Sequence, residues 1–265
     1  MGIPVDDEFM YSLLFADDQV IMAGDEHDIV YMFRKLVEAY GENGMEINFK
    51  KTKYLVSGGE ARDLCIGAQT IGKCEEYKYL GSIITSEGNS KKEISSRIGQ
   101  ARRATQRLNS MLWSKSVKIS TKVRVYNSIV QSILIYGSET WEITKRDCQR
   151  LNAVEMDFLR RSSCISRMDR VRNLEIRERT GKRYTTIDEI KRRRLVWMGH
   201  TQRMSDERWP KKVLNWDPPG RRKRGRPPET WMKQVWSDMQ ERDLAEGDWR
   251  DRGRWQVGCE RRQEL

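Results

Sequence analysis

Asp17 and Asp18 form an adjacent pair of carboxylates between two short apolar runs, Leu13-Leu14-Phe15 and Val20-Ile21-Met22. Apolar runs on both sides of a polar turn predict a tight β-hairpin with the two aspartates at its turn. Such a pair can hold Mg²⁺, and nucleotidyl transfer uses two divalent ions roughly 3.5 to 4 Å apart. Asp-Asp in a turn is also a common solvated turn that hydrogen-bonds its own backbone. The dipeptide alone leaves both interpretations open.

The segments that would hold this hairpin follow it in the chain. Apolar residues recur at helical spacing over residues 26 to 40 and stop near Gly41 and Gly44, which predicts a helix. Short strands are predicted at residues 45 to 48, 54 to 56 and 77 to 84, the last with a bend or a close backbone approach at Gly81. These patterns indicate a mixed α and β structure.

From about residue 91 the apolar pattern becomes helical. Two stripes stand out, and their members are Ile94, Ile98, Ala101, Leu108 and Leu112, then Val123, Tyr126, Ile129, Val130, Ile133 and Leu134. Further helices are predicted at residues 147 to 159 and 187 to 204, with one or two more at residues 231 to 255. Residues 217 to 228 are rich in Pro, Gly and Arg, which predicts a linker.

The net charge of +11 is unevenly distributed. Residues 1 to 56 carry five Lys and Arg against eleven Asp and Glu, whereas residues 191 to 265 carry twenty against twelve. An acidic segment suits divalent cations, and a basic segment with interleaved Trp suits phosphates and bases. The distribution predicts a polyanionic partner, with ordinary solvated surfaces as the alternative.

The cysteines and the hydropathy of the sequence indicate the cellular compartment of the protein. The five cysteines form no C-x-x-C pair and no zinc-knuckle spacing with His27 or His200, which predicts reduced thiols. No apolar stretch has the length needed to span a bilayer, and no secretory leader opens the sequence. We therefore expect an intracellular protein, nuclear or cytoplasmic, with no membrane partner.

Six segments together suggest an ancestry. They are, in order, Phe15-Ala16-Asp17-Asp18, residues 44 to 53 (GMEINFKKTK), Tyr79-Leu80-Gly81, residues 136 to 141 (YGSETW), residues 194 to 200 (RLVWMGH) and residues 220 to 231 (GRRKRGRPPETW). Each resembles a motif of the reverse transcriptases of LINE-type (non-LTR) retrotransposons, in the same order. The chain thus resembles the C-terminal part of such an enzyme, of an RTE-like element, from the F/Y-A-D-D box onward.

The resemblance implies an α+β fold with three segments. Residues 1 to 86 would form a partial reverse-transcriptase palm, residues 87 to 165 a helical thumb, and residues 166 to 265 a basic, mostly helical C-terminal region with the linker at 217 to 228. The implied activity is RNA-directed DNA synthesis with Mg²⁺. The implied partners are an RNA template and a DNA primer or target DNA.

The resemblance also implies roles for particular residues. Asp17 and Asp18 would belong to the palm metal site, with Asp17 as the direct ligand. Lys51 or Lys53 would lie near the phosphates of the incoming nucleotide, or else belong to a solvated basic turn. Tyr79, Leu80 and Gly81 would help to seat the primer end, although the first two could equally be strand core.

The family's palm also uses an aspartate from an earlier strand and a fingers subdomain. Only sixteen residues precede Asp17, and Asp6 and Asp7 are expected within the strand that leads into the hairpin. The metal site is therefore expected to be incomplete, and the isolated chain is expected not to polymerise DNA. The alternative is a noncatalytic nucleic-acid-binding remnant or a reused protein.

Two basic clusters are candidate nucleic-acid contacts. The first contains Arg221, Arg222, Lys223, Arg224 and Arg226, whose R-G-R-P core resembles AT-hook peptides that lie in narrow minor grooves. A nuclear localisation cluster or a solvated linker are the alternatives. The second contains Lys191, Arg192, Arg193 and Arg194 on a predicted helix, with arginines facing phosphates and Trp197 on the buried side; a solvated helix face is the alternative.

Overall fold

A computed structural model describes residues 1–59, 62–67, 69–217 and 229–261. These residues form two compact units. The first contains Met1–Lys78, Thr85–Gly88 and the described part of Met204–Gly225. The second contains Tyr79–Ile84, Asn89–Arg203 and the described part of Arg226–Leu265.

The first unit combines short antiparallel hairpins with one long helix. Its strands pair as β1 (Ile3–Val5) with β2 (Glu8–Met10), β3 (Ser12–Phe15) with β4 (Asp18–Ile21), and β5 (Leu64–Ile66) with β6 (Gln69–Ile71). Its helices are α1 (Glu26–Glu42) and α9 (Trp209–Asn215). Helix α1 begins where the Asp25 side chain accepts a 2.8 Å hydrogen bond from the Asp28 amide, which caps an otherwise unpaired donor.

The core of the first unit lies between α1 and the hairpin β5–β6. Ile29 and Phe33 stand four residues apart on one face of α1. Leu64 and Ile66 alternate along β5 and so share a face, which Ile71 completes from β6. All five side chains are buried, and their removal from water stabilises the unit.

The second unit is mostly helical. Its helices are α2 (Lys91–Arg107), α3 (Asn109–Trp113), α4 (Ile119–Val125), α5 (Gln131–Leu134), α6 (Lys145–Ser162), α7 (Asn173–Thr180), α8 (Thr186–Gln202), α10 (Trp231–Gln240) and α11 (Arg252–Glu260). A π-helical turn, Tyr126–Val130, joins α4 to α5. Strands β7 (Glu76–Tyr79) and β8 (Ser82–Thr85) form a further two-stranded sheet, of which only Tyr79–Ile84 belongs to the second unit.

The core of the second unit is built on α6. Leu151, Phe158 and Leu159 are fully buried there against residues of α2, the π-helical turn and α8. Capping boxes of Thr144 with Asp147 and of Thr185 with Asp188 fix the first turns of α6 and α8. These local signals explain why both helices begin where they do.

A polar cluster is enclosed in the same core. The Glu155 carboxylate accepts hydrogen bonds from Arg177 (2.6 Å) and from the Thr186 hydroxyl (3.1 Å). The Tyr126 hydroxyl lies 2.7 Å from that of Thr186. Burial, and then the charge of Glu155, raise the pKa of Tyr126 well above its ordinary value. The cluster ties α6, α7, α8 and the π-helical turn to one another.

The helix predictions are confirmed in outline. The helices predicted at residues 26 to 40, 147 to 159 and 187 to 204 are α1, α6 and α8, and residues 231 to 255 contain α10 and the start of α11. The first apolar stripe faces the core, with Leu108 partly buried, whereas Ile129 of the second is exposed. No helix in the described part of the chain is long and apolar enough to cross a membrane.

Several strand predictions are wrong. Residues 45 to 48 form no strand, because Asn48 closes a local turn by accepting from the amides of Lys51 and Thr52. Tyr54 makes only an isolated bridge to Lys73. Residues 77 to 84 form a hairpin rather than one bent strand, and strands β5 and β6 were not predicted.

Two further expectations change. Asp6 and Asp7 form the turn between β1 and β2, with Asp6 at φ +51°, instead of lying within a strand. Helices from residues 87 to 165 and from residues 166 to 265 share one core in the second unit, so the two segments pack together. The division into palm, thumb and C-terminal region stays a prediction, and the linker lies outside the described residues beyond Asp217.

Candidate metal and nucleic-acid site

The hairpin β3–β4 carries the carboxylate pair at its tip. Phe15 pairs with Asp18 and Leu14 with Gln19, which leaves Ala16 and Asp17 as the two turn residues. Ala16 has φ +52°, as the first position of a two-residue hairpin turn requires. Asp17 therefore lies in the turn as predicted, while Asp18 is the first residue of β4. Both side chains are exposed.

Helix α1 holds this hairpin in place. The Tyr40 hydroxyl donates a hydrogen bond to the Gln19 side chain, next to Asp18. The Met22 amide donates to the Tyr11 carbonyl at 2.8 Å, which extends the ladder beyond the two strands. The position of the tip is thus set by contacts at its base, and the carboxylates themselves stay accessible.

The carboxylate oxygens are the ligand type that Mg²⁺ prefers, but two carboxylates are too few for a two-metal site. Within the described residues neither Asp17 nor Asp18 forms an ion pair, so their oxygens are available to a hard cation. Over the same residues no group of three or more His, Cys, Asp or Glu side chains could hold a metal ion. The residues described do not by themselves make a closed two-metal site.

Lys51 and Lys53 are exposed. Lys51 lies in the turn that Asn48 closes. No hydrogen bond or ion pair between described residues joins either lysine to Asp17 or Asp18. Their proximity to nucleotide phosphates stays a prediction.

In the Tyr79-Leu80-Gly81 segment, Tyr79 ends β7, and Leu80 and Gly81 form the turn before β8. Leu80 has φ +46° and Gly81 has φ +84°. The Leu80 carbonyl accepts a 2.8 Å hydrogen bond from the Tyr136 hydroxyl, and the Gly81 carbonyl accepts one of 2.6 Å from Arg97. The Arg97 guanidinium also lies 4.4 Å from the centre of the Tyr136 ring. Both turn carbonyls are thereby fixed.

Glu93 completes this arrangement from α2. Its buried carboxylate accepts from Arg97 Nε at 2.6 Å and from the Ile83 amide at 2.8 Å. Because the pair is buried, loss of either partner would leave the other as an uncompensated buried charge. Sequence patterns did not single out Arg97 or Glu93, and the only available signal was their i, i+4 spacing on a predicted helix.

Residues 136 to 143 connect the other sequence motifs. The Trp231 indole donates to the Glu139 carbonyl at 2.8 Å, and Arg194 donates to the Trp141 carbonyl at 3.3 Å. Gln234 accepts from the Ile143 amide at 3.1 Å and donates to its carbonyl at 2.8 Å. Motifs far apart in sequence therefore meet around one loop.

The cluster at residues 191 to 194 differs from expectation. Arg194 is 1% exposed and pairs with buried Asp238 at 2.8 Å, so it faces the core and not a phosphate. Burial lowers the pKa of Arg194 and raises the pKa of Asp238, with their mutual attraction opposing both shifts. This corrects the expectation for Arg194, and Trp197 is only partly buried.

The other three cations of this cluster also have carboxylate partners. Lys191 pairs with Glu241, Arg192 with Glu189 at 2.7 Å, and Arg193 lies 3.6 Å from Glu189. Their charge is therefore largely offset within the chain, and a phosphate-binding role for them stays a prediction. Arg221, Arg222, Lys223, Arg224 and Arg226 lie outside the described residues, so their predicted role is untested.

Comparison with known proteins identifies a relative of this chain. An uncharacterized transposon-derived protein of Caenorhabditis elegans is 31% identical to this chain over 249 residues. The match covers 89% of this chain and 88% of that protein. No protein-family model matches the chain, and no solved structure matches it. At this identity and coverage the two proteins share a family.

Proposed function

Because this chain belongs to a family of transposon-derived proteins, we propose that it is part of the reverse transcriptase of a non-LTR retrotransposon. The observation that carries the proposal is the exposed Asp17-Asp18 pair at the tip of a β-hairpin with a two-residue turn. The order of the six motifs supports it. On this proposal the first unit contains palm structure, and the helices from α2 onward contain the thumb.

In the proposed function the hairpin presents carboxylates to the primer terminus. Asp17 and Asp18 would supply oxygen ligands, and bound Mg²⁺ would neutralise charge on the phosphoryl group being transferred. Two carboxylates do not complete a two-metal site, so a further carboxylate must join them before DNA synthesis. We therefore expect the chain alone to bind primer and template without extending the primer.

The Tyr79-Leu80-Gly81 turn would seat the primer end. Its two carbonyls are held by Tyr136 and Arg97, so its backbone is fixed before any nucleic acid binds. A fixed turn places a primer more accurately than a free loop does. The partners in this proposal are an RNA template with a DNA primer or target DNA.

The second candidate function is noncatalytic nucleic-acid binding. The observation that favours it is the small number of carboxylates at the hairpin. The two candidates differ in metal binding, because a noncatalytic remnant does not require a divalent cation at Asp17 and Asp18. Metal binding at the tip therefore separates the two.

The test uses Mn²⁺ as a paramagnetic probe and primer extension on an RNA template in parallel. Mn²⁺ should broaden the amide signals of residues 15 to 19, more strongly with primer–template present. Asp17→Asn with Asp18→Asn should abolish the broadening. Asp6→Asn with Asp7→Asn is the matched control, since that pair also occupies a hairpin turn.

The outcomes separate the candidates. Broadening confined to residues 15 to 19 and sensitive only to the first double variant supports a reverse-transcriptase metal site. Equal broadening at both turns, or none at residues 15 to 19, contradicts it and favours a binding remnant. The chain alone should not extend the primer, and extension that survives Asp17→Asn would also contradict the role of the hairpin.

A further inference from the structure

A cavity of about 320 Å³ opens on the second unit beside the π-helical turn. Its volume is at the lower end of the range for small-molecule sites. It contains no residue of the hairpin β3–β4 or of the turn between β7 and β8. The helical side of its lining includes Val123, Asn127 and Gln131, and the loop between α7 and α8 adds Lys182, Arg183 and Tyr184.

Lys182 orients two amide side chains of this cavity. Its ammonium donates to the side-chain oxygen of Asn127 at 2.7 Å and to that of Gln131 at 3.2 Å. It also lies 5.2 Å from the centre of the Tyr126 ring. An ammonium group can only donate, so the oxygens of both amides face Lys182. Each amide therefore keeps its NH₂ group for another acceptor.

The two NH₂ groups have no acceptor within the described part of the chain. The hydrogen bonds of Asn127 and Gln131 side chains there are those to Lys182. Gln131 is only 8% exposed. A buried amide nitrogen without a partner is unfavourable, because burial has removed most of its contact with water. A buried glutamine at a cavity wall with an unpaired nitrogen indicates that an acceptor enters the cavity.

The π-helical turn brings these amides together. The backbone N–H of Gln131 donates to the Tyr126 carbonyl, five residues earlier. The hydroxyls of Ser128 and Ser132 donate to carbonyls four residues earlier, at 3.0 and 2.8 Å, and such bonds distort a regular helix. π-helical turns are uncommon and occur frequently at functional sites. The distortion here coincides with the cavity wall.

The charges around the cavity indicate what kind of acceptor it takes. Arg183 is exposed and forms no ion pair with any described residue. Glu189 also lines the cavity, and Arg192 offsets its charge at 2.7 Å. Two neutral amides and one free guanidinium suit a single negative charge spread over two oxygens. A dianionic phosphate would be repelled more strongly by Glu189.

We propose that this cavity binds a carboxylate that carries an apolar or aromatic group. The carboxylate accepts hydrogen bonds from the amides of Gln131 and Asn127 and from Arg183, and its apolar group packs on Val123 and Tyr184. The carboxylate belongs to a small free acid or to the C-terminus of a partner polypeptide. The site needs neither Asp17 nor a nucleic acid, so it goes beyond the proposed reverse-transcriptase role.

The test titrates the isotope-labelled whole chain with hydrocinnamate and follows side-chain amide signals by NMR. The NH₂ signals of Asn127 and Gln131 should shift together, with a dissociation constant of about 0.1 to 1 mM. The neutral analogue hydrocinnamamide should bind at least about tenfold more weakly, because it lacks the charged acceptor. Phenyl phosphate should also bind more weakly than hydrocinnamate.

Two variants test the amide donors. Gln131→Glu keeps an oxygen for Lys182 but replaces the NH₂ group by a second oxygen, so affinity for hydrocinnamate should fall about 10- to 100-fold. Asn127→Asp makes the same change at an exposed position, where folding is not at risk, and should weaken binding about tenfold. Gln106→Glu, on the exposed side of α2, is the matched control and should change affinity less than about twofold.

A further arm identifies the source of the carboxylate. Tighter binding of acetyl-glycyl-glycyl-phenylalanine than of hydrocinnamate, lost when the peptide is amidated, supports a polypeptide C-terminus. The reverse order supports a small free acid. Binding of neither acid, or shifts that leave Asn127 and Gln131 unmoved, would overturn the proposal. Equal losses in Gln131→Glu and Gln106→Glu, or tighter binding of phenyl phosphate, would overturn it as well.

Discussion

The Tyr136 hydroxyl donates a 2.8 Å hydrogen bond to the carbonyl of Leu80, which lies 56 residues earlier in the chain. The bond joins two motifs that the sequence shows only as separate segments. Arg97 adds a second hydrogen bond to the same turn and packs on the Tyr136 ring. The conformation of the turn between β7 and β8 is therefore fixed by helix α2 and by the loop after α5.

Gly81→Ala should destabilise the second unit. Gly81 has φ +84°, and an added Cβ would lie 3.4 Å from the Tyr136 ring and hydroxyl. We expect the free energy of unfolding in urea to fall by about 1 to 2 kcal/mol. Gly99→Ala is the control, since its helical backbone accepts alanine and should gain up to about 1 kcal/mol. Equal effects of the two variants would contradict the strain at Gly81.

Lys122→Met should lower the free energy of unfolding strongly, although methionine and lysine side chains are similar in size. The Lys122 ammonium is buried and donates to the carbonyls of Leu112, Ser114 and Ser162 at 2.7, 2.8 and 3.1 Å. These oxygens lie at or near the ends of α3 and α6, where a cation is favoured. We expect urea denaturation to show a loss of roughly 2 to 4 kcal/mol.

Lys118→Met serves as the control for Lys122→Met. Lys118 is exposed, so we expect its replacement to change the free energy of unfolding by less than about 0.5 kcal/mol. A loss at Lys122 no larger than that at Lys118 would show that its three carbonyl contacts contribute little to stability.

Removing one partner of the Arg194–Asp238 pair should destabilise the fold, whereas replacing both partners by apolar residues should change the stability little. Burial lowers the pKa of Arg194 and raises the pKa of Asp238, so the cost of burial outweighs the attraction for each group. Arg194→Met should lower the free energy of unfolding by about 3 to 5 kcal/mol, because Asp238 is left buried. Adding Asp238→Leu should return it to within about 1 kcal/mol of wild type. A double-mutant cycle with no coupling would contradict this.

The same pair should make stability depend on pH. The folded pKa of Asp238 lies above its ordinary value of 3.8, chiefly because of burial. The folded state then keeps a proton that the unfolded state has already lost. This contribution is present below 3.8 and is lost as the pH rises through the folded pKa. Denaturation curves of wild type and Asp238→Asn should be compared between about pH 3 and 7. The free energy of unfolding should fall more with rising pH in wild type than in Asp238→Asn.

Gly199→Ala should loosen the packing of α11 on α8. An added Cβ would clash with the Trp255 indole nitrogen, which donates to the Leu195 carbonyl at 3.0 Å. We expect a loss of about 1 to 3 kcal/mol and faster hydrogen exchange in α11. Gly253→Ala, whose Cβ would meet only Asp251 at 3.5 Å, should be nearly neutral. Equal exchange rates in both variants would contradict the role of Gly199.

The sequence determined the features that depend on neighbouring residues. Apolar residues at helical spacing predicted α1, α2, α6 and α8, because one helix face must be buried whatever lies against it. The hairpin around Asp17 was predictable for a similar reason, since a turn between two apolar runs is a local signal. The motifs were also readable from the sequence, although their contacts were not.

The tertiary structure decided what depends on residues distant in the chain. Residues 45 to 48 form no strand, because among the described residues no distant segment pairs with them, and Asn48 closes a local turn instead. Arg194 proved to be buried, because Asp238 approaches from 44 residues away. The bond between Tyr136 and Leu80 likewise follows from packing. Sequence periodicity indicates which face of a helix is buried, but only the folded chain shows which charges find partners.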